Sequence, residues 1–507
     1  MSSNPLSYLR KESLDIFNRI HSIEEDIYFV RQVNQAYPGV PIIPNLRCGA
    51  WYTDPAIATD IPAYFKSTDG HFSNWGFNLR RANLHLLPLI IEQHGIILVD
   101  STRSGKRIPD ALSKTVPIWC AVINRAMLIL HPEITKTNPF NKWDTALYTP
   151  PGGVSMQEHH QIEQRLDSWA NSLVASSFSL PTLPCPLRPM WITPATTTFP
   201  PIKDESLDFL PIMCVSASKQ IQQGLERRSG GFAYIQGSGD DHELWGMGLT
   251  PQIFWEHHQD LIAADRAQLS SLVSKIIVSA PHSACNFDKT TNSMNPIKRV
   301  GGRLLIGSIA GVSDTVNVDN MEFIILTSSM QDEPISKPRK TYIPVVAGKR
   351  GHSQFLRTVL PTAVTFIRDG LAEEKRICIA CDSGKDLSVG VALAALQLFF
   401  QDNGHLVPMD PVSTLNQGAF YYHLPAQSRG LTGIVANKKS IRTRLEWIIA
   451  SRPQANPSRA TLKRVNEFLL SPPSLWRVCP PSSSPRKEEL GIWIHNEDPE
   501  GSEACID

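Results

Sequence analysis

An excess of charge of either sign is what this 507-residue sequence most lacks: 49 Lys and Arg stand against 48 Asp and Glu, for a net charge of +1. A chain so balanced has no long-range field of its own, so any contact with nucleic acid must come from a local basic patch. Cysteines number nine, an odd and scattered set. That pattern fits reduced thiols in the cytoplasm or nucleus and excludes a disulfide framework. Cys378 and Cys381 form a C-x-x-C, but no second pair or closely spaced histidine completes a zinc site. No signal-peptide pattern opens the chain. The longest largely apolar run, Val389–Phe400, is too short to span a bilayer. There is no fixed-period repeat, no Walker A spacing and no G-x-G-x-x-G. An apolar fraction of 42% with 19% charged residues is that of a soluble globular protein. The length calls for at least two cores, and 39 prolines for many irregular connections.

Periodicity predicts helices over 4–35, 84–94, 110–129, 158–178 and most of 251–280, and short strands over 95–100 and 232–236. Residues 181–211, with their repeated prolines, read as an extended connector. The polar, proline-bearing stretch 331–341 is the expected domain boundary. Beyond it come helix 352–369, strand 376–380, and helices 389–401, 440–450 and 458–470, then a Pro/Ser-rich tail. This gives an α/β protein with an N-terminal domain 1–335, a C-terminal α/β domain 340–480 and a tail 481–507.

The most informative segment is 377–396. A β-branched run ends at Cys381, a polar turn follows, and Ser388 opens an alanine-rich apolar helix. Such a strand–loop–helix aims several backbone N–H groups at one point near a helix N-terminus and makes a phosphate cradle. The loop Asp382, Ser383, Gly384, Lys385, Asp386, Leu387, Ser388 has the Cys-x-x-Gly-x-x-x-Ser skeleton of cysteine-dependent phosphatases. Those enzymes need an arginine six residues after the cysteine; Leu387 stands there instead. An ordinary strand–turn–helix with a capping serine is the plainer reading of the same residues.

Three further constellations carry possible chemistry. The turn after strand 95–99 gathers hydroxyls and the cations Arg103, Lys106 and Arg107 behind Asp100, which suits a phosphate or diphosphate as well as a solvated basic turn. In 236–245, Asp240, Asp241, His242 and Glu243 crowd three acids and an imidazole into four positions. Crowded carboxylates repel unless a cation relieves them. Hard oxygen ligands suit Mg²⁺, and a carboxylate there could act as general base; an acidic helix start is the alternative. Finally, Trp51, Trp75, Arg80 and Arg81 mix aromatics with cations in the manner of base-stacking surfaces, and Lys438, Lys439, Arg442 and Arg444 form the densest basic cluster.

Together the segments VDSTRSGKRIPDALSKTVPIWCAVINRA (99–126), YIQGSGDDHELWGMGLTP (234–251), CDSGKDLSVGVALAALQLF (381–399) and NKKSIRTRLEWIIASRPQANPSRATLKRVNEFL (437–469) resemble the initiator-tRNA 2'-O-ribosyl phosphate transferases of fungi and plants. The resemblance spans nearly the whole chain. It implies transfer of 5-phosphoribosyl from phosphoribosyl pyrophosphate to the 2'-hydroxyl of a T-stem adenosine in initiator tRNA, which blocks its use in elongation. It also implies a family-specific N-terminal domain and a C-terminal domain similar to dual-specificity phosphatases. On this basis the cradle 382–388 is assigned to the donor phosphate, Arg103, Lys106 and Arg107 to diphosphate or RNA backbone, and Asp240, Asp241, His242 and Glu243 to catalysis. Asp240 and Asp241 are assigned to Mg²⁺, with Asp100 a weaker candidate for metal or base duty. Trp51, Trp75, Arg80, Arg81, Lys438, Lys439, Arg442 and Arg444 are assigned to RNA. The expected partners are initiator tRNA and the donor, with no membrane and no DNA. Two rivals stand beside this reading: a phosphatase using Cys381, which lacks its arginine, and a non-catalytic tRNA-binding protein, which an acid cluster would hinder.

Overall fold

The computed structural model describes residues 5–46, 48–103, 105–133, 143–202, 208–222, 225–279, 294–313, 320–328, 340–346, 348–408 and 436–471. Strands β1 (Ile42–Pro44), β2 (Ile96–Asp100), β3 (Leu187–Ile192) and β4 (Leu210–Ser216) form a parallel sheet in the order β1-β2-β4-β3. Its central strands β2 and β4 are apolar along their length because both faces are covered. Ile97, Val99, Met213 and Val215 pack with Ile20, Ile23 and Ile27 of the helix Ile16–Ala36. Ile96, Leu98, Ile212 and Cys214 pack with the helix Val116–Leu130. The first of these helices starts where Asp15 accepts the N–H groups of Phe17 and Asn18. The second continues a π-helical turn, Ala111–Thr115. The combined stretch Ala111–Leu130 is long and apolar enough to cross a membrane, although polar residues interrupt its apolar run; 83% of its apolar window is buried inside the protein.

A two-residue hairpin, β5 (Glu226–Arg227) with β6 (Ala233–Tyr234), precedes the acidic turn. The second sheet contains β7 (Asn295–Pro296), β8 (Leu304–Ser308), β9 (Met321–Thr327), β10 (Lys340–Pro344) and β11 (Arg376–Cys381), in the order β10-β9-β11-β8-β7 and parallel except for β7. Helices Leu360–Ala372, Leu387–Phe399, Lys438–Ser451 and Arg459–Leu470 build the large core associated with it.

This sheet corrects the expected domain division. β11 pairs with β8 on one side and β9 on the other, so residues 295–327 belong to the second unit, which begins well before the polar stretch at 331–341. Most of that stretch, and the chain beyond 471, lies outside the described residues. The connector expected over 181–211 is likewise corrected: it contains β3 and the start of β4. Pro189 and Pro211 hid them, and β3 tolerates its proline at the sheet edge.

Arg444 is not on the surface. Its Nε donates to Leu396 O at 3.2 Å, Nη2 to Phe400 O at 2.9 Å and Nη1 to Asp402 Oδ1 at 2.9 Å, with no exposed side-chain area. It adds a donor to the Leu396 carbonyl, which also accepts the Phe400 N–H, and caps the Phe400 carbonyl just past the helix Leu387–Phe399. Arg444→Ala is therefore expected to cost about 3 kcal/mol or more in urea denaturation. Arg442→Ala, removing an exposed partner of Glu446 at 3.6 Å, should cost less than about 1 kcal/mol. Equal small losses would show that Arg444 does not pin the helix end.

Candidate functional site

The carboxyl edge of the first sheet is where a parallel α/β layer offers a ligand site. β2 ends at Asp100, whose Oδ2 accepts Asn45 Nδ2 at 2.8 Å and whose Oδ1 accepts the Ser101 N–H at 2.9 Å. Asp100 is buried and ties the ends of β1 and β2 together, a structural duty and not the acid–base one assigned from sequence. The loop that follows is held over the sheet edge. Gln236 Nε2 donates to Lys106 O at 2.6 Å, Ser216 Oγ to Arg107 O at 2.9 Å, and the Arg107 guanidinium to Thr193 Oγ1 at 3.1 Å.

The acidic turn closes on this loop from the other side. Gly237 has φ +68°, and a side chain there would collide with the Thr102 carbonyl. Gly239 would place a Cβ 2.8 Å from the Trp51 ring. These two approaches bring Arg103 Nε to 2.7 Å from Asp241 Oδ1 and 3.2 Å from Asp240 Oδ2. Partial burial raises the Asp241 pKa against the pull of Arg103, and Asp240 and Glu243 add to the rise. Burial works against the charge on Arg103, but Asp241 and Asp240 outweigh it and raise its pKa. His242 stacks obliquely on Trp51 with ring centroids 5.4 Å apart. Among the described residues, His242 Nδ1 and Trp51 Nε1 are both buried without a hydrogen-bond partner. Two orphaned ring nitrogens beside a carboxylate pair are the mark of a site with unmet polar demand. Glu243 points outward, its side chain 69% exposed.

Several residues assigned to RNA lie elsewhere. Trp51 is a fully buried core residue against Trp245 and Phe254. Trp75 is also buried, its Nε1 donating to Glu158 Oε1 at 2.8 Å and Arg165 lying over its ring. Arg81 makes a bidentate pair with Asp69. Tryptophan and arginine at close spacing read as a stacking surface, but here Trp75 and Arg81 turn their polar tips to internal carboxylates and the Trp51 ring is buried in the core. Lys106 pairs with Asp110 at 2.5 Å, and Asp110 also meets Lys114 at 3.0 Å. Burial would raise the Asp110 pKa; the two lysines overcome it and hold it low. Lys438 and Lys439 are exposed, on a helix opened by a reciprocal Asn437–Ser440 capping box.

Sequence reading missed a buried network beneath the site. Ser101 Oγ lies 2.5 Å from Ser218 Oγ, Ser218 Oγ 2.5 Å from Asp26 Oδ2, and Tyr234 OH donates to Asp26 Oδ1 at 2.7 Å. The Lys219 N–H donates to Tyr234 OH, and the Gly239 N–H to Tyr52 OH, each at 2.8 Å. Full burial drives the Asp26 pKa well above its ordinary value, although Ser218 and Tyr234 lower it. One signal was present: Asp26 sits three residues after Ile23 and four before Val30, on the apolar face of its helix.

In the second unit, Cys381 is buried with Sγ 3.2 Å from Ser388 Oγ. Leu387 packs against the hydrophobic core of this unit, so the arginine position is filled by an inward apolar side chain. Asp386 Oδ1 accepts the Ser458 N–H at 2.8 Å, and burial raises the Asp382 pKa. The segment from Arg452 to Ser458 runs behind this loop and forms part of the seam with the first unit. Arg80 Nη2 donates to Pro457 O at 2.9 Å. Burial lowers the Arg80 pKa, with Arg81 and Arg459 adding to the effect. Ser177 donates to Glu446 Oε2, and Phe178 packs against both large cores.

A doubly covered parallel layer with a cationic loop clamped by an acidic one, joined to a phosphatase-like unit that has the cysteine and no loop arginine, defines an anion-handling α/β protein. Comparison with known proteins gives the family. Residues 9–278 match the family model described as Rit1 N-terminal domain, and 339–469 that described as Rit1 DUSP-like domain; the chain belongs to the Rit1 family. The tRNA A64-2'-O-ribosylphosphate transferase of Saccharomyces cerevisiae is 32% identical, over 91% of this chain and 93% of that relative. An uncharacterized protein of Schizosaccharomyces pombe is 33% identical, over 90% and 94%. Among solved structures, DUSP15 is 17% identical over 36% of this chain and 92% of its own, with a TM-score of 0.24. The Yvh1 phosphatase domain from Chaetomium thermophilum is 17% identical over 35% and 95%, with a TM-score of 0.22.

The raised pKa of Asp26 has a stability consequence. A carboxyl with a folded pKa above its unfolded value stabilises below the unfolded value and loses that contribution as pH rises toward the folded one. Wild-type stability should thus fall, relative to Asp26→Asn, from about pH 4 upward, by as much as about 1.4 kcal/mol per pH unit. Paired urea titrations at pH 4, 5.5 and 7 measure the difference; a constant gap would mean that Asp26 folds ionised.

Proposed function

We propose that this protein transfers a 5-phosphoribosyl group from phosphoribosyl pyrophosphate to the 2'-hydroxyl of the T-stem adenosine of initiator tRNA, barring that tRNA from elongation. The yeast relative's name supports the reaction. The observation that carries it in this chain is the clamp of Arg103 on Asp240 and Asp241 at the carboxyl edge of a parallel sheet. It places a carboxylate of raised pKa beside a cation, the pair needed to take a proton and to meet a departing diphosphate.

In the step itself, the 2'-oxygen forms a bond to C1 of the donor as the C1–diphosphate bond breaks. The hydroxyl proton passes to Asp241, and diphosphate leaves with the bonding electrons toward Arg103 and Lys106. The cradle at 383–388 holds the donor 5-phosphate, so that binding energy far from C1 serves orientation. Among the described residues no three His, Cys, Asp or Glu side chains form a metal cluster. A carboxylate pair still fits Mg²⁺, which commonly takes one or two carboxylates and completes its shell with substrate phosphates and water. Asp240 would hold the ion once Arg103 turns to the diphosphate, leaving Asp241 to take the proton, and the ion would supply charge neutralisation. We place the reaction in the cytoplasm, without a membrane or DNA partner. Leu387 disfavours the phosphatase reading, since a leucine packed into the core has no donors for a phosphoryl group.

The decisive assay is label transfer from donor to initiator tRNA by purified protein with Mg²⁺; no label in RNA would sink the proposal. Asp241→Asn should abolish transfer while tRNA binding stays equal or tightens, because a repulsive carboxylate is gone. Lys385→Ala should raise the donor requirement roughly 10- to 150-fold, the worth of one charge-assisted hydrogen bond, and leave the tRNA requirement alone. Replacing Lys438 and Lys439 together by alanine should flatten the logarithmic salt dependence of tRNA binding by roughly 0.7–0.9 for each phosphate left unneutralised. Parallel salt titrations of equal intercept would show that those lysines do not touch RNA.

A further inference from the structure

We infer that Arg452 is the positioning residue of the phosphate cradle: from behind the loop it sets the peptide planes that present the cradle's N–H groups. The inference rests on the reading that the loop takes a phosphate, and it identifies what organises the loop in the absence of an arginine at 387.

The segment 452–458 grips the back of the loop at three points. Arg452 Nε donates to Gly384 O at 2.8 Å, the Asn456 N–H to Lys385 O at 2.9 Å, and the Ser458 N–H to Asp386 Oδ1 at 2.8 Å. Among the described residues no peptide bond is cis. In a trans peptide the carbonyl and the following N–H point opposite ways. Drawing Gly384 O back to Arg452 therefore turns the Lys385 N–H forward, where it donates to Ser383 Oγ at 3.3 Å. Drawing Lys385 O back to Asn456 turns the Asp386 N–H forward in the same way. Two successive N–H groups now face one side, directly before the helix Leu387–Phe399. That arrangement binds an anion.

The packing behind the loop is tight. Gly384 has φ +63°, and a Cβ there would stand 2.6 Å from Arg452 Nη2 and 2.6 Å from Gly307 O of β8. The loop is thus seated on the guanidinium with no space for a side chain. Arg452 Nη1 also donates to Asn295 Oδ1 on β7, so one planar fork ties the loop to the sheet edge. Arg452 is 1% exposed, which keeps it from touching a ligand; its effect passes through the loop. A lysine ammonium, a single point on a flexible stem, does not reproduce the fork.

The test compares wild type, Arg452→Lys, Arg452→Gln and Arg452→Ala. It uses inorganic phosphate by calorimetry, steady-state requirements for donor and tRNA, and thermal unfolding. The expected result is a loss of phosphate affinity of about tenfold or more, an equal rise in the donor KM and an unmoved tRNA KM, in variants that remain folded. Guanidinium ion at millimolar concentration should restore phosphate binding to Arg452→Ala. Should Arg452→Lys fail to fold, Asn295→Ala removes the fork's second acceptor without touching the segment 452–458 and carries the same expectation. Folded variants with wild-type phosphate affinity and donor KM overturn the role of Arg452. If wild type itself binds no phosphate and Lys385→Ala leaves the donor KM unchanged, the cradle reading falls and the inference with it. If Lys385→Ala weakens donor binding and the Arg452 and Asn295 variants do not, only the inference falls.

Discussion

The close approach at Gly237 is the constraint on which the first unit's site depends. With φ +68° and the Thr102 carbonyl against its Cα, this residue lets the loop after β6 lie directly on the loop after β2. Any side chain would force the two apart. The Arg103–Asp240–Asp241 clamp, the seating of Gly239 on Trp51 and the bond from the Gly237 N–H to Ser218 Oγ at 3.2 Å all follow from that contact. The polar groups this approach buries are satisfied below by Asp26, Ser101, Ser218, Tyr52 and Tyr234. The buried network is thus the support of the clamp, and its hydrogen bonds confer geometry more than stability.

The near-zero net charge takes on meaning once the ion pairs are placed. Arg81, Arg103, Lys106, Lys114 and Arg188 each meet a carboxylate. In this way the chain neutralises these cations where they lie. The exposed Lys438 and Lys439 stand on a helix that packs against the turn Leu79–Arg81 of the first unit. These two lysines keep their charge exposed at the start of a helix that joins the two units.

Elements with strong local signals were legible: the strand before Asp100, the strand before Cys381, and the capped helices after it. The strands at 304–308 and 321–327 were not, because short apolar runs without turn residues at both ends match a strand and a buried helix equally well. The domain boundary was misplaced for a related reason. A linker's composition marks a surface crossing, whereas membership of a sheet is set by pairing between residues tens of positions apart, as Cys378 pairs between Leu305 and Phe323. The motifs of the site were visible because their residue types are unusual together. Orientation was not: Trp51 and Arg444 look like surface binders in one dimension and are fully buried in three.

The seam links the two units at the segment that holds the loop after β11. Pro457 lies between Asn456 and Ser458, which hold the cradle, and its carbonyl accepts from Arg80 of the first unit. A shift of the units relative to each other must therefore pull on the segment that sets the loop's peptide planes. Arg80 is poorly placed to tolerate such a shift, because burial and the neighbouring Arg81 and Arg459 already work against its charge. The contact between the Arg80 guanidinium and the Pro457 carbonyl thus ties the position of the first unit to the segment that holds the loop.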